Sequence, residues 1–591
     1  MNLANLGKAA LLAAQNRLQT AGHNINNAAT EGYNRQSVLV QTASPSATGA
    51  GWIGRGVQAV SVQRAYDNFL SRQMMDSQVK GAALQTYGNQ ISQVNNLFAD
   101  RTVGIAPAIQ KFFDGIDAVA TAPADSAARQ ELLGRSSGLA TQIRNANAFL
   151  DEQRNNINTQ ITTTITQVNS YLDRINDLNQ QITTAKATQP GQPPNDLLDM
   201  RDQAVSELGQ MIDVKAFYQD DRVSIAIGNG QVVLSGNTVF PLTARPAEAD
   251  PSRMAVNFTI LDGSGQLIPV EMPESLITGG KLGGLLTFRA DSLDVVQNDL
   301  GRIAMGLALA MNEAHQAGAD LGGLQGGAFF KFGPPNVLNH ESNTGTVAPT
   351  VGYVSSARDT NIPPDPTTTW RPMDPTQPYN PTSNPWDPKT SPSNTLTNQD
   401  YRVEFSGGQY SVTTIPGGTK TALGSTFPVR FGGVTFDPGA GVPVEGDSWM
   451  IQPTRNAAAN LDVAITDPAK IAAASYDATI GTASGVANGD NALIMAKLRT
   501  DKTLGNGSAS LNEAFSQIIS NVGVQTQQNT TSQKAQNALI QQNYSAQQAV
   551  SGVNLNEESM NLDRYQEQFR AASRMIDVSS TLFDTLLGLR N

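Results

Sequence analysis

Two apolar seams with a seven-residue repeat, one near each end of the chain, constrain its fold most. Near the amino terminus, an apolar side chain recurs every seven positions and a small residue follows each of them three positions later. The apolar series is Ala4, Leu11, Leu18 and Ile25, and the small series is Gly7, Ala14, Ala21 and Ala28. This is the a/d spacing of a helix that packs closely on a partner helix.

The carboxyl-terminal seam has the same spacing and larger side chains. Its first series is Leu555, Leu562, Phe569, Ile576 and Phe583, and Tyr565, Ala572, Ser579 and Leu586 follow three positions later. Asn554 or Asn556 can cap this helix, and acidic residues in its first turn suit the positive end of the helix dipole. From both seams we predict one assembly interface, which consists of Leu11, Leu18, Ile25, Leu555, Leu562, Phe569, Ile576 and Phe583.

A third helical seam runs from Ile157 to Ile182, where apolar residues keep a 3-4 spacing and Thr164 is the polar interruption. Its flanks are rich in Asn, Gln and Thr rather than in charged residues, and residues 525–548 have a similar composition. Such uncharged faces suit hydrogen bonding to neighbouring subunits, but they also suit a solvated face in an ordinary bundle. Periodicity alone leaves both interpretations open.

The apolar period changes to two from about residue 217, which predicts strands. Residues 223–227 and 256–260 alternate before glycine-containing turns, and a helix is expected to return over about 285–314. Alternating apolar residues also flank the glycine pairs at Gly407-Gly408 and Gly432-Gly433, which predicts a second β-rich region. Between the two regions, residues 362–392 hold ten of the 30 prolines in the chain, which predicts an irregular loop or linker.

The predicted fold is therefore mixed α and β and multidomain. The amino- and carboxyl-terminal helices pair into a coiled-coil or helical-bundle stalk, and β-rich domains are inserted between them. The predicted domains are a terminal helical region (1–75 with 540–591), a helical bundle (76–215 with 285–330 and 470–539), a β-rich domain (216–284), and an outer Pro/Gly-rich and β-rich insertion (331–469).

Charge and composition exclude several classes of function. The 591 residues include 40 Lys and Arg against 51 Asp and Glu, a formal charge of −11. Because no broad basic surface is available, we expect neither nucleic-acid binding nor attraction to anionic lipid. No apolar run reaches the ~18 to 20 residues of a membrane span. The amino terminus also lacks the charged and apolar regions of a cleavable signal peptide, so any secretion is expected to use another route.

No catalytic, cofactor-binding or metal-binding residue is predicted. The chain has no Cys and three His, which leaves little for soft-metal or redox sites. Residues 134–138 match G-x-S-x-G but follow a helical stretch instead of the strand that a nucleophile elbow requires. His340 begins a fragment of a zinc-protease motif without its second histidine, and His315 is expected to be a cation at a helix end.

Both ends also carry recognisable motifs. Residues 25–36, with the sequence INNAATEGYNRQ, resemble the amino-terminal signature of bacterial flagellar rod, hook and junction proteins, although Glu31 stands where that family typically has proline. Residues 551–558, SGVNLNEE, together with Tyr565-Gln566 and LFDTLL at 582–587, resemble the carboxyl-terminal signature of the same family. The motif residues carried over from this resemblance are Asn27, Gly32, Tyr33, Arg35, Asn554 and Leu555.

Within this family the interior narrows the resemblance. The stretches GGKLGGLL at 279–286 and LALAMN at 307–312 are similar to those of subunits at the hook-filament junction. The resemblance implies a structural subunit that is secreted by the flagellar type III export system and assembles through its terminal helices. It implies as partners copies of the chain in a ring, the hook protein, a second junction protein, and an export chaperone at the carboxyl-terminal helix.

Two alternatives remain at this point. The chain could be another axial subunit of the rod or hook, because those proteins share the terminal signatures. It could also be a secreted adhesin or enzyme whose activity resides in the β-rich insertions, with the terminal helices serving only as anchors. The long central helix rich in Asn, Gln and Thr favours the junction subunit over the other axial proteins.

Overall fold

The computed structural model describes residues 3–48, 51–99, 104–219, 221–228, 230–261, 263, 266–354 and 391–589. Long helices dominate this part of the chain. They are α1 (Leu3–Asn26), α2 (Asn68–Ala99), α3 (Ile105–Thr121), α4 (Ser126–Thr188), α5 (Asn195–Met211), α6 (Gly280–Phe288), α7 (Asp294–Gln316), α8 (Asp490–Lys497), α9 (Leu511–Ser551) and α10 (Leu555–Gly588). A single π-helical turn, Arg289–Leu293, joins α6 to α7.

Short strands fill the intervals between the helices. The first group is β1 (Gln36–Thr42), β2 (Ser46–Thr48), β3 (Gly51–Ile53), β4 (Val57–Arg64), β5 (Val214–Gln219), β6 (Arg222–Ile227), β7 (Gln231–Ser235), β8 (Thr238–Val239), β9 (Thr243–Pro246), β10 (Met254–Leu261) and β11 (Leu267–Glu271). The second group is β12 (Gly318–Ala319), β13 (Phe330–Lys331), β14 (Asn336–Asn339), β15 (Thr350–Tyr353), β16 (Asp400–Ser406), β17 (Gln409–Ile415), β18 (Lys420–Gly424), β19 (Val429–Phe431), β20 (Val434–Asp437), β21 (Ser448–Gln452), β22 (Asp462–Val463), β23 (Ala474–Asp477) and β24 (Thr482–Ala483).

The central helix α4 organises the helical part of the molecule. It is 63 residues long, and the Asp125 side chain caps it by accepting a hydrogen bond from Ala127 N at 2.9 Å. The predicted seam from Ile157 to Ile182 is buried along this helix, so that prediction is confirmed. Thr164 is also buried, and its hydroxyl is satisfied by donating to the carbonyl of Gln160 at 2.7 Å. Helices α2 through α9 share one hydrophobic core, and the strands that lie on α4 also contribute to it.

The predicted β regions are present as two separate groups of sheets. Sheets β5-β6-β7-β8 and β11-β10-β9 pack on α4, and the outer group contains β14-β21-β16-β17-β18 and β15-β20-β19. The outer group has a core of its own around the fully buried Trp449. The predicted hairpin at Gly407-Gly408 is confirmed, and both glycines have positive φ angles, 61° and 76°. Most of the predicted Pro-rich loop, residues 362–390, lies outside the described residues.

A buried ion network joins the helical part to both β groups. Arg455, after β21, pairs with Asp250 at 3.3 Å and contacts Asp400, while Asp294 at the start of α7 accepts from Arg253 at 2.6 Å and from Arg154 at 2.7 Å. Sequence analysis did not predict this network. Because a buried charge without its partner is costly, these pairs fix how the three parts meet.

The terminal helices α1 and α10 pack on each other, and the β1-β4 hairpin runs beside α1. The predicted fold class, with paired terminal helices and inserted β-rich domains, is therefore confirmed. The domain limits predicted at 284/285 and at 539/540 fall inside α6 and α9, so the domain division stays a prediction. Among the described residues, no helix has the length and apolar character that a bilayer crossing would need.

Candidate assembly interface

Small residues let α1 and α10 approach each other closely. Three of the four residues of the small series, Gly7, Ala14 and Ala21, are buried, whereas Ala28 is half-buried and lies after the end of α1. A Cβ atom on Gly7 would lie 2.9 Å from Ile576 Cγ1 and 3.2 Å from the carbonyl oxygen of Ala572. The spacing seen in the sequence therefore has a direct steric cause, since a larger side chain at position 7 would push the helices apart.

The two helices run antiparallel. Asn24, near the end of α1, donates to Glu558 Oε2 in the first turn of α10 at 3.1 Å. Further back along α1, the Arg17 guanidinium carbon lies 5.3 Å from the centre of the Tyr565 ring, and Gly7 lies opposite Ala572. The amino terminus of α1 and the carboxyl terminus of α10 therefore lie at the same end of the molecule.

The residues of the predicted assembly interface fall into two groups. Six are half-buried between the helices or at their edge: Leu11, Leu18, Ile25, Leu562, Phe569 and Ile576. Leu555 and Phe583 are exposed, at 52% and 56% of their surface. The half-buried residues hold the helix pair together within one chain, and the exposed ones are available to a partner.

The last turns of α10 form an exposed apolar end, which extends past the level at which Gly7 meets α10. Its side chains are exposed by between 51% and 79%, and they are Val578, Leu582, Phe583, Leu586, Leu587 and Leu589. A cluster of this many exposed aliphatic and aromatic side chains on one helix end is typical of a surface that contacts another molecule.

The amino- and carboxyl-terminal signatures meet at the other end of the helix pair. Asn24 Oδ1 accepts from the backbone N–H of Gln36 at 2.9 Å and from the Tyr33 hydroxyl at 2.7 Å. Arg35 Nε donates to the buried carboxylate of Glu558 at 2.8 Å. Burial and the neighbouring carboxylates raise the pKa of Tyr33, so its hydroxyl stays protonated and acts as a donor.

Gly32 is required by backbone conformation and by space. Its φ of +79° lies in the left-handed region, and a Cβ atom there would come within 2.9 Å of the Gln203 Cβ on α5. Asn27 stabilises the same turn, because its amide donates to the carbonyl of His23 at 3.1 Å and its Oδ1 accepts from the Thr30 hydroxyl at 3.3 Å. The family turn thus closes the end of α1.

Asn554 caps α10. Its side chain accepts from the backbone N–H groups of Asn556 at 3.0 Å and of Glu557 at 3.4 Å. The expectation that Asn554 or Asn556 caps this helix is therefore confirmed for Asn554. Leu555, the first residue of α10, points into solvent, so the motif places a cap and an exposed leucine side by side.

Asp199 on α5 anchors the signature turn to the helical part, and sequence analysis missed it. The backbone N–H and side-chain amide of Asn34 donate to Asp199 at 3.0 and 2.7 Å. Arg64 on β4 donates to Asp199 and to Asp202, each at 2.7 Å. Burial raises the pKa of Asp199, and the hydrogen bonds from Arg64 and Asn34 partly offset this by stabilising the carboxylate.

The residues of the two rejected motif matches have structural partners. Ser136, in the G-x-S-x-G match, is fully buried in α4 and donates to the carbonyl of Leu132 at 2.6 Å. His340 contacts the Ser342 hydroxyl at 2.8 Å near the surface. Within the described ranges, His, Asp and Glu side chains do not gather in groups of three or more that could hold a metal ion.

The prediction that His315 is a cation at the end of a helix is wrong. His315 lies in the last turn of α7, but it is fully buried, and burial lowers its pKa to about 4. Nδ1 donates to the carbonyl of Gly327 at 2.8 Å, and Nε2 accepts from the backbone N–H of Ala472 at 2.8 Å. The neutral ring therefore bridges two loops instead of interacting with the helix dipole as a charge.

Comparison with known proteins finds sequences that are similar to this chain. Residues 91–330 match the family described as "Flagellar hook-associated protein FlgK helical domain". Flagellar hook-associated protein 1 of Escherichia coli (strain K12) is 33% identical over 599 residues, which cover 100% of both chains. The protein of the same name in Salmonella typhimurium is 33% identical over 602 residues, again covering 100% of both. The Bacillus subtilis protein is 28% identical over 349 residues, or 55% of this chain and 68% of that one.

A solved structure is similar as well. The flagellar hook junction protein FlgK from Burkholderia pseudomallei superposes with a TM-score of 0.69 at 26% sequence identity. The superposition covers 81% of this chain and 100% of that one.

Proposed function

The chain belongs to the flagellar hook-associated protein 1 family and is a structural subunit of the junction between hook and filament, and we propose that it assembles there through α1 and α10. The observation that carries this proposal concerns the two ends of the α1–α10 pair. Both family signatures meet at one end, around Asn24 and Glu558, and the exposed apolar side chains of α10 lie at the opposite end. A helix pair fixed at one end and apolar at the other is suited to docking between similar helix pairs.

Burial of the apolar end supplies most of the free energy of association. A fully buried Leu or Phe side chain contributes ~1.5 to 3 kcal/mol, whereas an exposed ion pair contributes ~0.2 to 1 kcal/mol. We propose that the partners are copies of the chain in a ring, the hook protein, and a second junction protein. We also propose that an export chaperone shields the same apolar side chains of α10 before assembly.

Composition supports secretion by the flagellar export apparatus to the outside of the cell. With no Cys in its sequence, the chain cannot be trapped by disulfides while it is unfolded in a narrow channel. The named relatives are flagellar structural proteins, and we propose that this chain likewise has no catalytic activity.

Aspartate substitutions on α10 test the proposal in cells. In a strain without the chain we expect hooks without filaments and filament subunits lost to the medium. Leu562→Asp and Phe569→Asp, which place a charge in the helix seam, should be exported but should not restore filaments. Gln566→Asp lies on the exposed side of the same helix and should restore them. Filament assembly by both seam variants at the level of Gln566→Asp would disprove the role of the seam.

A further inference from the structure

Helix α9 carries a second seam on its exposed side. Eight residues at alternating spacings of four and three are all exposed, and we name them the α9 seam: Val524, Gln528, Thr531, Ala535, Ala538, Gln542, Ser545 and Ala549. The spacing is that of a helix packed on another helix. Most of the eight side chains are small, which permits close approach of a second helix.

The α9 seam is not the surface by which α9 packs within its own chain. That surface contains Ile518 and Val522, which are buried. It also contains Asn529, whose amide donates to the carbonyl of Leu84 at 3.1 Å, and Asn543, whose amide donates to the Ser77 hydroxyl at 2.7 Å. Because these residues already join α9 to α2, the exposed seam is left for another molecule.

The α9 seam lies in a stretch that is nearly free of charge. Between Glu513 and Glu557 the sequence contains one charged residue, Lys534. The whole chain has a formal charge of −11, so two identical copies repel each other over most of their surface. A surface without charge is where copies of this chain can meet at the lowest electrostatic cost.

Helix α4 presents a matching surface. The residues Asn156, Thr159, Thr163, Thr166 and Ser170 are exposed along one side of α4, and we name them the α4 ridge. No charged residue occurs from 155 to 172. The hydroxyls of the ridge donate to backbone carbonyls one turn back, for example Thr163 to Thr159 at 2.9 Å and Ser170 to Thr166 at 3.1 Å. Because each hydroxyl proton is already donated, the oxygen of each exposed hydroxyl can still accept a hydrogen bond from the Gln amides of the α9 seam.

The α9 seam and the α4 ridge face different sides of the helical part. Helix α9 packs on α2 and α7, and α4 packs on α3, α5 and α6, so α2, α6 and α7 lie between the two outer helices. When the α9 seam of one copy contacts the α4 ridge of the next, the first copy keeps its own α4 ridge free and the second keeps its own α9 seam free. Such a head-to-tail contact can continue from copy to copy and close into a ring.

We infer that the α9 seam of one copy packs on the α4 ridge of a second copy. This inference rests on the proposed assembly of the chain at the junction. The seam is ~39 Å long at 1.5 Å per residue, but the ridge is only ~22 Å long, so a contact ~10 Å wide between them buries ~450 Å² over both partners. A stable interface buries ~1,200 Å² or more, so this contact forms only where the terminal helices already hold the copies together.

Disulfide trapping tests the contact, and the absence of Cys removes any background. The variant Ala535→Cys with Thr163→Cys places one thiol on the seam and one on the ridge, and Asn537→Cys with Thr163→Cys is the matched control. Asn537 is also exposed, but lies about 160° around the helix from Ala535. After oxidation of isolated hook-filament junctions, we expect cross-linked dimers and higher multiples for the seam pair, at least fivefold above the control.

Charge substitution gives an independent result. Ala535→Glu should lower incorporation into the junction several-fold, and Asn537→Glu should not. Absence of cross-links from a seam pair that is present in junctions, or equal incorporation of Ala535→Glu and Asn537→Glu, overturns the α9-to-α4 contact. Neither result affects the proposed junction function, which fails only if filaments attach without the chain.

Discussion

Two glycines in the terminal region differ in whether their position requires glycine. At Gly32 a positive φ and the nearby Gln203 both exclude a side chain, whereas a Cβ atom on Gly22, inside α1, would have no neighbour within 4 Å. We expect Gly32→Ala to destabilise the terminal region by more than ~1 kcal/mol, and Gly22→Ala to stabilise α1 by ~0.5 to 1 kcal/mol.

Hydrogen exchange of the amides in α1 measures both glycine effects. Exchange should be faster in Gly32→Ala and slower in Gly22→Ala than in the unchanged chain. If the two substitutions change exchange in the same direction, the requirement for glycine in the signature turn is not conformational.

His315 makes stability depend on pH. Its pKa of about 4 in the folded chain lies below the ordinary value of 6.5, so between these values the unfolded chain binds more protons. Stability is therefore complete above pH 6.5 and falls as the pH decreases toward 4, by roughly 3 kcal/mol at 1.36 kcal/mol per pKa unit. Nearby Arg129 contributes to this shift, and Asp320 opposes it.

The substitution His315→Gln separates this effect from other titrations. The variant should be less stable at pH 7, because Gly327 and Ala472 lose a well-placed partner, but its loss of stability between pH 6.5 and 4 should be smaller. Urea unfolding at several pH values measures both quantities. Parallel curves for the two proteins would mean that another group titrates.

For single residues, the sequence predicts those whose role depends on neighbours close to them in the chain. Asn554 caps the helix that begins beside it, and Gly32 occupies a turn that its own neighbours define. Asp199 could not be found in this way, since its partner Asn34 is 165 positions away and nothing in the residues around it marks the contact. The neutral state of His315 was missed for the same reason, because only the fold shows its burial.

Helices α1 and α10 are less firmly held than α4. The buried apolar residues of the pair, among those described, are Ala13, Ala14, Ala21 and Ala572, whereas α4 buries a series of Leu and Ile side chains. At ~0.8 kcal/mol per buried CH₂ group, the pair is stabilised far less per turn. We predict that both terminal helices exchange their amide hydrogens quickly in the isolated chain and slowly in assembled junctions.

Hydrogen exchange followed by mass spectrometry compares the two states directly. Peptides from α4 serve as the internal control, because they should be protected in both. Strong protection of residues 11–25 in the isolated chain would contradict the prediction, since the pair would then be stable without neighbours.

Helices and strands were predictable where the apolar residues keep one repeat along the whole element. The seam of α4 and the outer hairpins follow from repeats of 3.5 and 2 residues. The β1-β4 hairpin was not predicted, because a bulge between Leu39 and Val40 breaks its alternation and its strands are stabilised by α1. The uncharged residues of α4 and α9 were recognised, but their arrangement on two sides of one bundle requires the tertiary structure.

The outer β group can be removed only along a particular boundary. Deleting residues 339–465 takes away Arg455 and the buried Leu461, which belong to the ion network and the main core. The paired residues Asn336 and Gln452 lie at the base of the outer sheet. We expect that replacing residues 337–451 with a short Gly-Ser linker leaves a chain that folds and enters the junction, although at lower stability, because Arg455 loses Asp400 but keeps Asp250.

The two deletions form a matched pair. The longer deletion of 339–465 should give an unstable chain, because it removes both Arg455 and Gln452 and leaves the buried Asp250 without these partners. Circular dichroism of the purified chains and filament counts in cells measure folding and assembly separately. Loss of filaments in a well-folded 337–451 variant would assign the outer β group a role in joining hook to filament.

The antiparallel arrangement of α1 and α10 has a consequence for the order in which the terminal region can close. If the proposed export proceeds with the first residue leading, α1 emerges more than 500 residues before α10 and waits without its companion helix. The pairing of Asn24 with Glu558 then becomes possible only when the first turn of α10 has emerged. A chain that ends before α10 would leave this pair open, so closure of the terminal region distinguishes such a fragment from a subunit that carries both helices.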